Sequence, residues 1–330
     1  MIETLILPIE SKSVEMAKEI LLSGGVIGMP TETVYGLAGN GLNPDAVKKI
    51  FEVKGRPSDN PLIAHVHKDF DLNRLVKIEH DYALKLKERF MPGPLTMVFF
   101  SKGVVCAEAV CGGETLAVRI PSHEGCQQLL RAVDLPLVAP SANLSKHTSP
   151  VTAQHVYDDL NGKIPLILDG GKSQGGIEST VLDCTGNVPR ILRAGLITKE
   201  MIEEVVGCCE IAMHKEGDKV RSPGVKYRHY RPKCQTALFT ETQTEEILAT
   251  YKEWEDLGKK PYIMCSSSFA KNFKGLNLLE LGFTADQIAS NLYDKLLEGE
   301  KCADIIIGVE MPYSDGVYAG ILNRLRKSCG

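Results

Sequence analysis

Residues 221–233 read RSPGVKYRHYRPK, a stretch with five cations (Arg221, Lys226, Arg228, Arg231 and Lys233) and no Asp or Glu. Pro223-Gly224 and Pro232 forbid a continuous helix there, and unpaired cations at this density are not buried. The segment reads as an extended, basic linker between two units. The division expected is 1–207 for the first unit, 208–233 for the basic linker and 234–330 for the second unit. A chain of 330 residues suits about two domains on length alone.

Both sides of this break alternate strand and helix signals. Before it, 14–22 has helical apolar spacing and stops at Gly24-Gly25, and 26–29 is a short apolar strand ended by Pro30. Asn43-Pro44-Asp45 opens a helix, with Asn43 as N-cap and Pro44 in its first turn, that runs to Gly55. Strand signals follow at 62–66, 96–100, 116–120, 136–139, 166–168 and 180–182, with helical patterns at 82–90, 125–133 and 153–160. This is mixed α/β, with helices packed on a twisted sheet. After the break, strands at 236–239, 261–265 and 304–307 alternate with helices at 244–254, 284–297 and 317–327, the pattern of a small parallel sheet covered by helices.

The net charge of -4 argues against a bulk electrostatic nucleic-acid binder, although the linker leaves room for weak RNA contact through a local basic field. The N-terminal residues MIETLILPIESKS lack a basic region ahead of a short apolar run, and no stretch approaches the ~20 apolar residues that span a bilayer. The ten cysteines include no C-x-x-C pair, which disfavours a zinc ribbon or dithiol redox site. A soluble cytoplasmic protein with reduced thiols is expected.

Four stretches carry groups suited to chemistry. PTETVYGL (30–37) puts Thr31, Glu32 and Thr33 at a strand end, where α/β sheets bind ligands; a capped turn explains them equally well. KGRPSDNP (54–61) sets Lys54 and Arg56 about a helix-terminating glycine, then stiffens the chain with prolines around Asn60. Fixed cations of this kind suit a polyphosphate, while helix C-capping accounts for Lys54 and Gly55. APSANLS (139–145), with Ser149 beyond it, places Ser141 and Asn143 after a buried strand, as a ligand loop or a serine-rich turn. DGGKSQGGIEST (169–180) contains Gly-Lys-Ser, but a phosphate-binding loop needs glycine at position 166, where Leu166 stands. His65 in an apolar strand is ordinarily a core histidine. Arg119, at the end of another apolar strand, demands an anionic partner, either a substrate carboxylate or an internal Asp or Glu. Arg193 adds one more cation.

Taken together, PTETVYGL, KGRPSDNPL, PGPLT (92–96), AVRIP (117–121), APSAN and GIESTV (176–181) stand in the order of YrdC-type domains. SPGVKYRHYRP (222–232) and ILNRLRK (321–327) resemble the linker and C-terminal region of the long threonylcarbamoyl-AMP synthases. The resemblance covers essentially the whole chain. It implies a YrdC-like twisted mixed sheet with a concave ligand groove and a smaller Rossmann-like C-terminal unit. It implies the conversion of L-threonine, bicarbonate and ATP, with magnesium, to threonylcarbamoyl-AMP and pyrophosphate, and transfer by a separate complex to tRNA adenosine beside the anticodon. By resemblance, Lys54 and Arg56 are catalytic. These two, with Asn60, Thr115, Ser141, Asn143, Ser149, Arg193 and Tyr230, face ATP. Thr33, His65, Arg119, Ala139 (through its backbone) and Ser179 face threonine. No metal ligand among the side chains is implied, and the linker is expected to act as a lid held by the C-terminal unit.

Two other readings share these features. A non-catalytic RNA-binding protein would use the same basic concavity, but the acidic net charge opposes it and it needs no cluster of hydroxyls. A carbamoyl-transfer enzyme of the hydrogenase-maturation type carries a related domain, in much longer chains with zinc-finger cysteine pairs that are absent here.

Overall fold

A computed structural model describes residues 2–58, 60–212 and 230–330. Most of the basic stretch, 213–229, therefore lies outside the described residues, as does Asp59.

In chain order the elements are β1 (Leu5–Pro8), α1 (Ser11–Leu22), β2 (Val26–Met29), β3 (Gly36–Asn40), α2 (Pro44–Lys54), β4 (Ile63–His65), β5 (Val76–Lys77), α3 (Asp81–Phe90), β6 (Leu95–Ser101), β7 (Thr115–Arg119), α4 (Glu124–Val133), β8 (Leu137–Val138) and α5 (Ala153–Leu160). There follow β9 (Leu166–Asp169), β10 (Thr180–Asp183), β11 (Arg190–Arg193), α6 (Lys199–Val206) and β12 (Glu210–Ile211). These strands make one mixed sheet in the order β1-β9-β2-β3-β8-β4-β7-β6-β10-β11-β12, with β5 on β6. It continues through Ile211, past residue 207.

The second set comprises β13 (Gln235–Thr240), α7 (Thr244–Asp256), β14 (Pro261–Cys265), β15 (Leu278–Glu280), α8 (Ala285–Cys302), β16 (Ile305–Glu310) and α9 (Val317–Cys329). Its four strands are all parallel, ordered β13-β16-β14-β15. The Ile305–Val309 run is buried throughout, as a central parallel strand with helices on both faces must be.

Helix α2 shows how local sequence positions a functional group. Asn43 Oδ1 accepts from the Asp45 and Ala46 amides, opening the helix. Its buried stripe is Ala46, Val47, Ile50, Phe51 and Lys54, so the last position of an apolar face carries an amine into the interior. Gly55 then takes a left-handed conformation, φ 59°, which ends the helix and releases the chain at Arg56.

The two units share a core. Val34, Val151, Ile177 and Tyr230 pack in one cluster with Met264, Leu292, Tyr293, Ile321 and Leu325. Gly176 (φ 68°) approaches α8 so closely that a Cβ there would lie 2.3 Å from the Ala289 carbonyl oxygen.

Candidate active site

A cavity lies where strand ends of the large sheet meet the 139–149 loop. Parallel strands β4 and β7 set His65 opposite Arg119 in register, so both side chains reach the cavity from adjacent strand ends. Arg119 is 4% exposed, and its Nη2 lies 2.8 Å from Glu32 Oε1. This is an ion pair without a hydrogen bond, since Glu32 Oε1, Oε2 and Arg119 Nη2 find no hydrogen-bond partner. Of the two partners the sequence allows for Arg119, the internal carboxylate is thus in place. His65 Nδ1 lies 3.0 Å from the Ile63 carbonyl, and burial, with the Arg119 charge, drives its pKa down to about 3. The ring is neutral at ordinary pH, and an Nδ1–H donated to Ile63 leaves Nε2 an acceptor.

Ser179 precedes β10 and is tied in from both sides. Its hydroxyl lies 2.8 Å from Thr96 Oγ1, and its carbonyl accepts from Arg193 Nε (3.1 Å) and Nη2 (2.9 Å). Arg193 closes β11, inside the sheet.

Lys54 and Arg56 enter from α2. Burial and the neighbouring Arg56 lower the Lys54 pKa, yet its Nζ donates to Ser141 O, Asn143 O (2.6 Å) and Asn143 Oδ1 (3.3 Å). Three acceptors about one nitrogen match the three protons of an ammonium, so we assign the charged form. Lys54 thus braces the 141–143 loop, and reaching a phosphate requires releasing one of these bonds. The Asn143 amide is committed within the same loop, with Nδ2 on Leu144 O (2.9 Å) and His147 O (2.8 Å). Arg56 Nη2 donates to Asn60 O at 3.2 Å, while the fully buried Asn60 amide has no partner for either Oδ1 or Nδ2.

The cavity thus gathers Lys54, Arg56, His65, Arg119, Ala139, Ser141, Asn143, Ser149, Ser179, Arg193 and Tyr230 from the sequence-predicted set. The Ala139 amide is already bonded to Ile63 O, 3.1 Å. Three of the set do not line it. Thr33 is wholly buried with its hydroxyl 3.0 Å from Thr31 Oγ1, and Thr31 faces the cavity instead. Asn60 meets Arg56 through its carbonyl alone. Thr115 stands at the opposite end of β7 from Arg119.

Sequence reasoning passed over Glu178. It lines the cavity, accepts from Ser149 Oγ at 2.7 Å, and meets Arg324 and Tyr293 of the C-terminal unit. A carboxylate inside GIESTV was the available signal, but its partner stands 146 residues away. Lys172, of the Gly-Lys-Ser sequence, bonds instead to Asp294 (2.5 Å) and Asn291 (2.9 Å). Of the linker, Tyr230 is 5% exposed and stacks on Tyr293 with ring centroids 5.3 Å apart.

A family model described as Telomere recombination matches residues 19–195, and one described as Threonylcarbamoyl-AMP synthase, C-terminal domain, matches 197–330. The chain is 39% identical to the threonylcarbamoyl-AMP synthase of Pyrococcus abyssi, across 98% of this chain and 95% of that one. It is 40% identical to that of Bacillus subtilis, across 96% and 93%. Its fold matches a crystal structure of P. abyssi Sua5 complexed with L-threonine at a TM-score of 0.89 and 36% identity, covering 99% of this chain and 97% of that one. With strand-end polar groups, a cation-rich cavity and full-length similarity all in agreement, the chain belongs to the threonylcarbamoyl-AMP synthase family and is an enzyme of the two-domain Sua5 form.

Proposed function

We propose that the enzyme converts L-threonine, bicarbonate and ATP to L-threonylcarbamoyl-AMP and pyrophosphate in the cytoplasm. A separate transfer complex would then deliver the threonylcarbamoyl group to tRNA adenosine next to the anticodon. The observation that carries this reading is one cavity lined both by strand-end polar groups and by cations. His65, Arg119 and Ser179 stand at strand ends, with Lys54, Arg56 and Arg193 beside them. The similarity to a protein described as complexed with L-threonine supports the amino-acid half. Ten free thiols agree with a reducing compartment.

In this reading the threonine amine attacks the bicarbonate carbon, and the carbamate forms with loss of water. A carbamate oxygen then attacks the α-phosphorus of ATP, and pyrophosphate leaves. Arg119 would receive the threonine carboxylate, exchanging Glu32 for a substrate anion, and neutral His65 would accept a hydrogen bond. Arg56 and Arg193 supply fixed positive charge where the leaving pyrophosphate gathers negative charge. The main contribution is positioning of a labile carbamate against phosphorus in a site shielded from water. Magnesium would come with the triphosphate, held mostly by phosphate oxygens and water as this ion usually is, and would further offset leaving-group charge.

Mass spectrometry of the reaction mixture tests this directly. Threonylcarbamoyl-AMP should form with all three substrates and disappear when bicarbonate is removed. AMP-threonine without the carbamoyl carbon would refute the reading.

A further inference from the structure

We infer that Arg324, on the last helix, is a positioning residue: through Glu178 it fixes the direction of the Ser149 hydroxyl, which therefore meets a hydrogen-bond donor of the nucleoside and not a phosphate oxygen. The inference rests on the reading of this cavity as an ATP site.

Ser149 and Glu178 both line the cavity, and both are buried. Ser149 Oγ lies 2.7 Å from Glu178 Oε1. Glu178 Oε2 accepts from Arg324 Nε at 3.1 Å and from the Tyr293 hydroxyl at 3.0 Å. The Arg324 side chain is fully buried, and its Nη1 also donates to the Ala194 carbonyl, so the guanidinium is locked between the two units. Burial opposes a charge on Glu178, but Arg324 and Arg193 outweigh it and hold the pKa at about 2. An ionised carboxylate is an acceptor only. The Ser149 proton is therefore committed to Glu178, and only oxygen lone pairs remain for a ligand. A phosphate oxygen, itself an acceptor, gains nothing from them. A ribose hydroxyl or the adenine amino group does.

This arrangement makes the C-terminal unit part of the site. Helix Val317–Cys329 acts at one remove from the nucleotide; its Arg324 sets the polarity of a group that meets it.

The test measures binding of ATP, 2′-deoxy-ATP, 3′-deoxy-ATP and 6-desamino-ATP by calorimetry, with L-threonine present, in the full-length protein. In wild type, the analogue that lacks the donor facing Ser149 should bind about tenfold more weakly than ATP. The identity of that analogue separates ribose from base. Ser149→Ala should abolish the difference. Arg324→Met combined with Glu178→Gln removes both buried charges together; it should keep threonine affinity within about twofold while shrinking the same difference. Arg324→Lys, which retains the charge, should preserve it. If the double variant does not fold, Glu178→Gln alone carries the comparison. Were no analogue to show a penalty that Ser149→Ala removes, or were the double variant to keep the full penalty, the inference would fall while the ATP site stood. No ATP binding by wild type would instead overturn the cavity reading, and this inference with it.

Discussion

His65 is a neutral side chain in a place that forbids its charge, and this has a measurable consequence. In the unfolded chain it protonates near 6.5, whereas burial and Arg119 lower the folded value to about 3. Between these values the unfolded state binds the extra proton, so stability falls as pH drops below 6.5. The loss reaches about 2 kcal/mol at pH 5. Urea denaturation of wild type and His65→Asn at pH 7 and pH 5 checks this: the gap should shift by that amount in favour of the variant at the lower pH. Arg119 and Lys54 illustrate what a sequence conveys at this scale. A cation ending an apolar strand announces a need for an anion, but Glu32 lies far along the chain and only the fold selects it. The helical spacing of α2 puts Lys54 on the buried stripe, yet its three carbonyl and amide acceptors belong to a loop almost ninety residues on. Glu178 needs Arg324 from the other unit, and nothing local marks that pairing.

Helix α2 delivers both cations, so its ends matter more than its middle. Asn43→Ala removes the side-chain acceptor for two first-turn amides and should cost about 1 kcal/mol in urea denaturation. The effect on ATP affinity should be small, since Gly55 and the buried stripe still set Lys54 and Arg56. Elements with strong periodicity, such as α1, α4 and β16, are legible from their residues. Strand β3 (Gly36–Asn40) is not, because Gly-Leu-Ala-Gly-Asn lacks β-branched residues and reads as a turn. It forms because β2 and β8 flank it and satisfy its backbone, a tertiary effect. Arg193, which the sequence shows only as one more cation, is the last residue of β11. Strand order could not be read at all: β1 pairs with β9, and β10 inserts beside β6, across long separations.

At the scale of the whole molecule, the two units are held by more than their shared apolar cluster. His147, in the cavity loop, lies 2.7 Å from both Asp159 and Glu300, the second on α8. Lys233, just past the linker, also meets Glu300 at 3.2 Å. Burial works against the His147 charge, but the two carboxylates outweigh it and raise its pKa to about 9. A raised folded pKa means the clamp contributes fully below 6.5 and is lost as pH rises through 9. The loss should be ~2 kcal/mol after allowing for partial solvent screening. Hydrogen exchange of α8 should therefore accelerate between pH 7 and pH 9.5 beyond the intrinsic rate, and His147→Asn should remove that excess. A division of the chain at the basic, proline-interrupted stretch is an expectation that charge and proline placement make legible. The depth of contact between the units is not legible in this way, because Gly176, Arg324 and Tyr293 are ordinary residues until packing brings them together.

In the proposed reaction one cavity brings a threonine carbamate against the α-phosphate of ATP. Pyrophosphate release by the full-length protein, with ATP and magnesium, tests it most directly. Release should require both L-threonine and bicarbonate, should be much weaker with L-serine, and should fall by about 100-fold or more in Arg56→Ala with the fold intact. Release from wild type that ignores threonine, or an Arg56→Ala protein as active as wild type, would contradict the account.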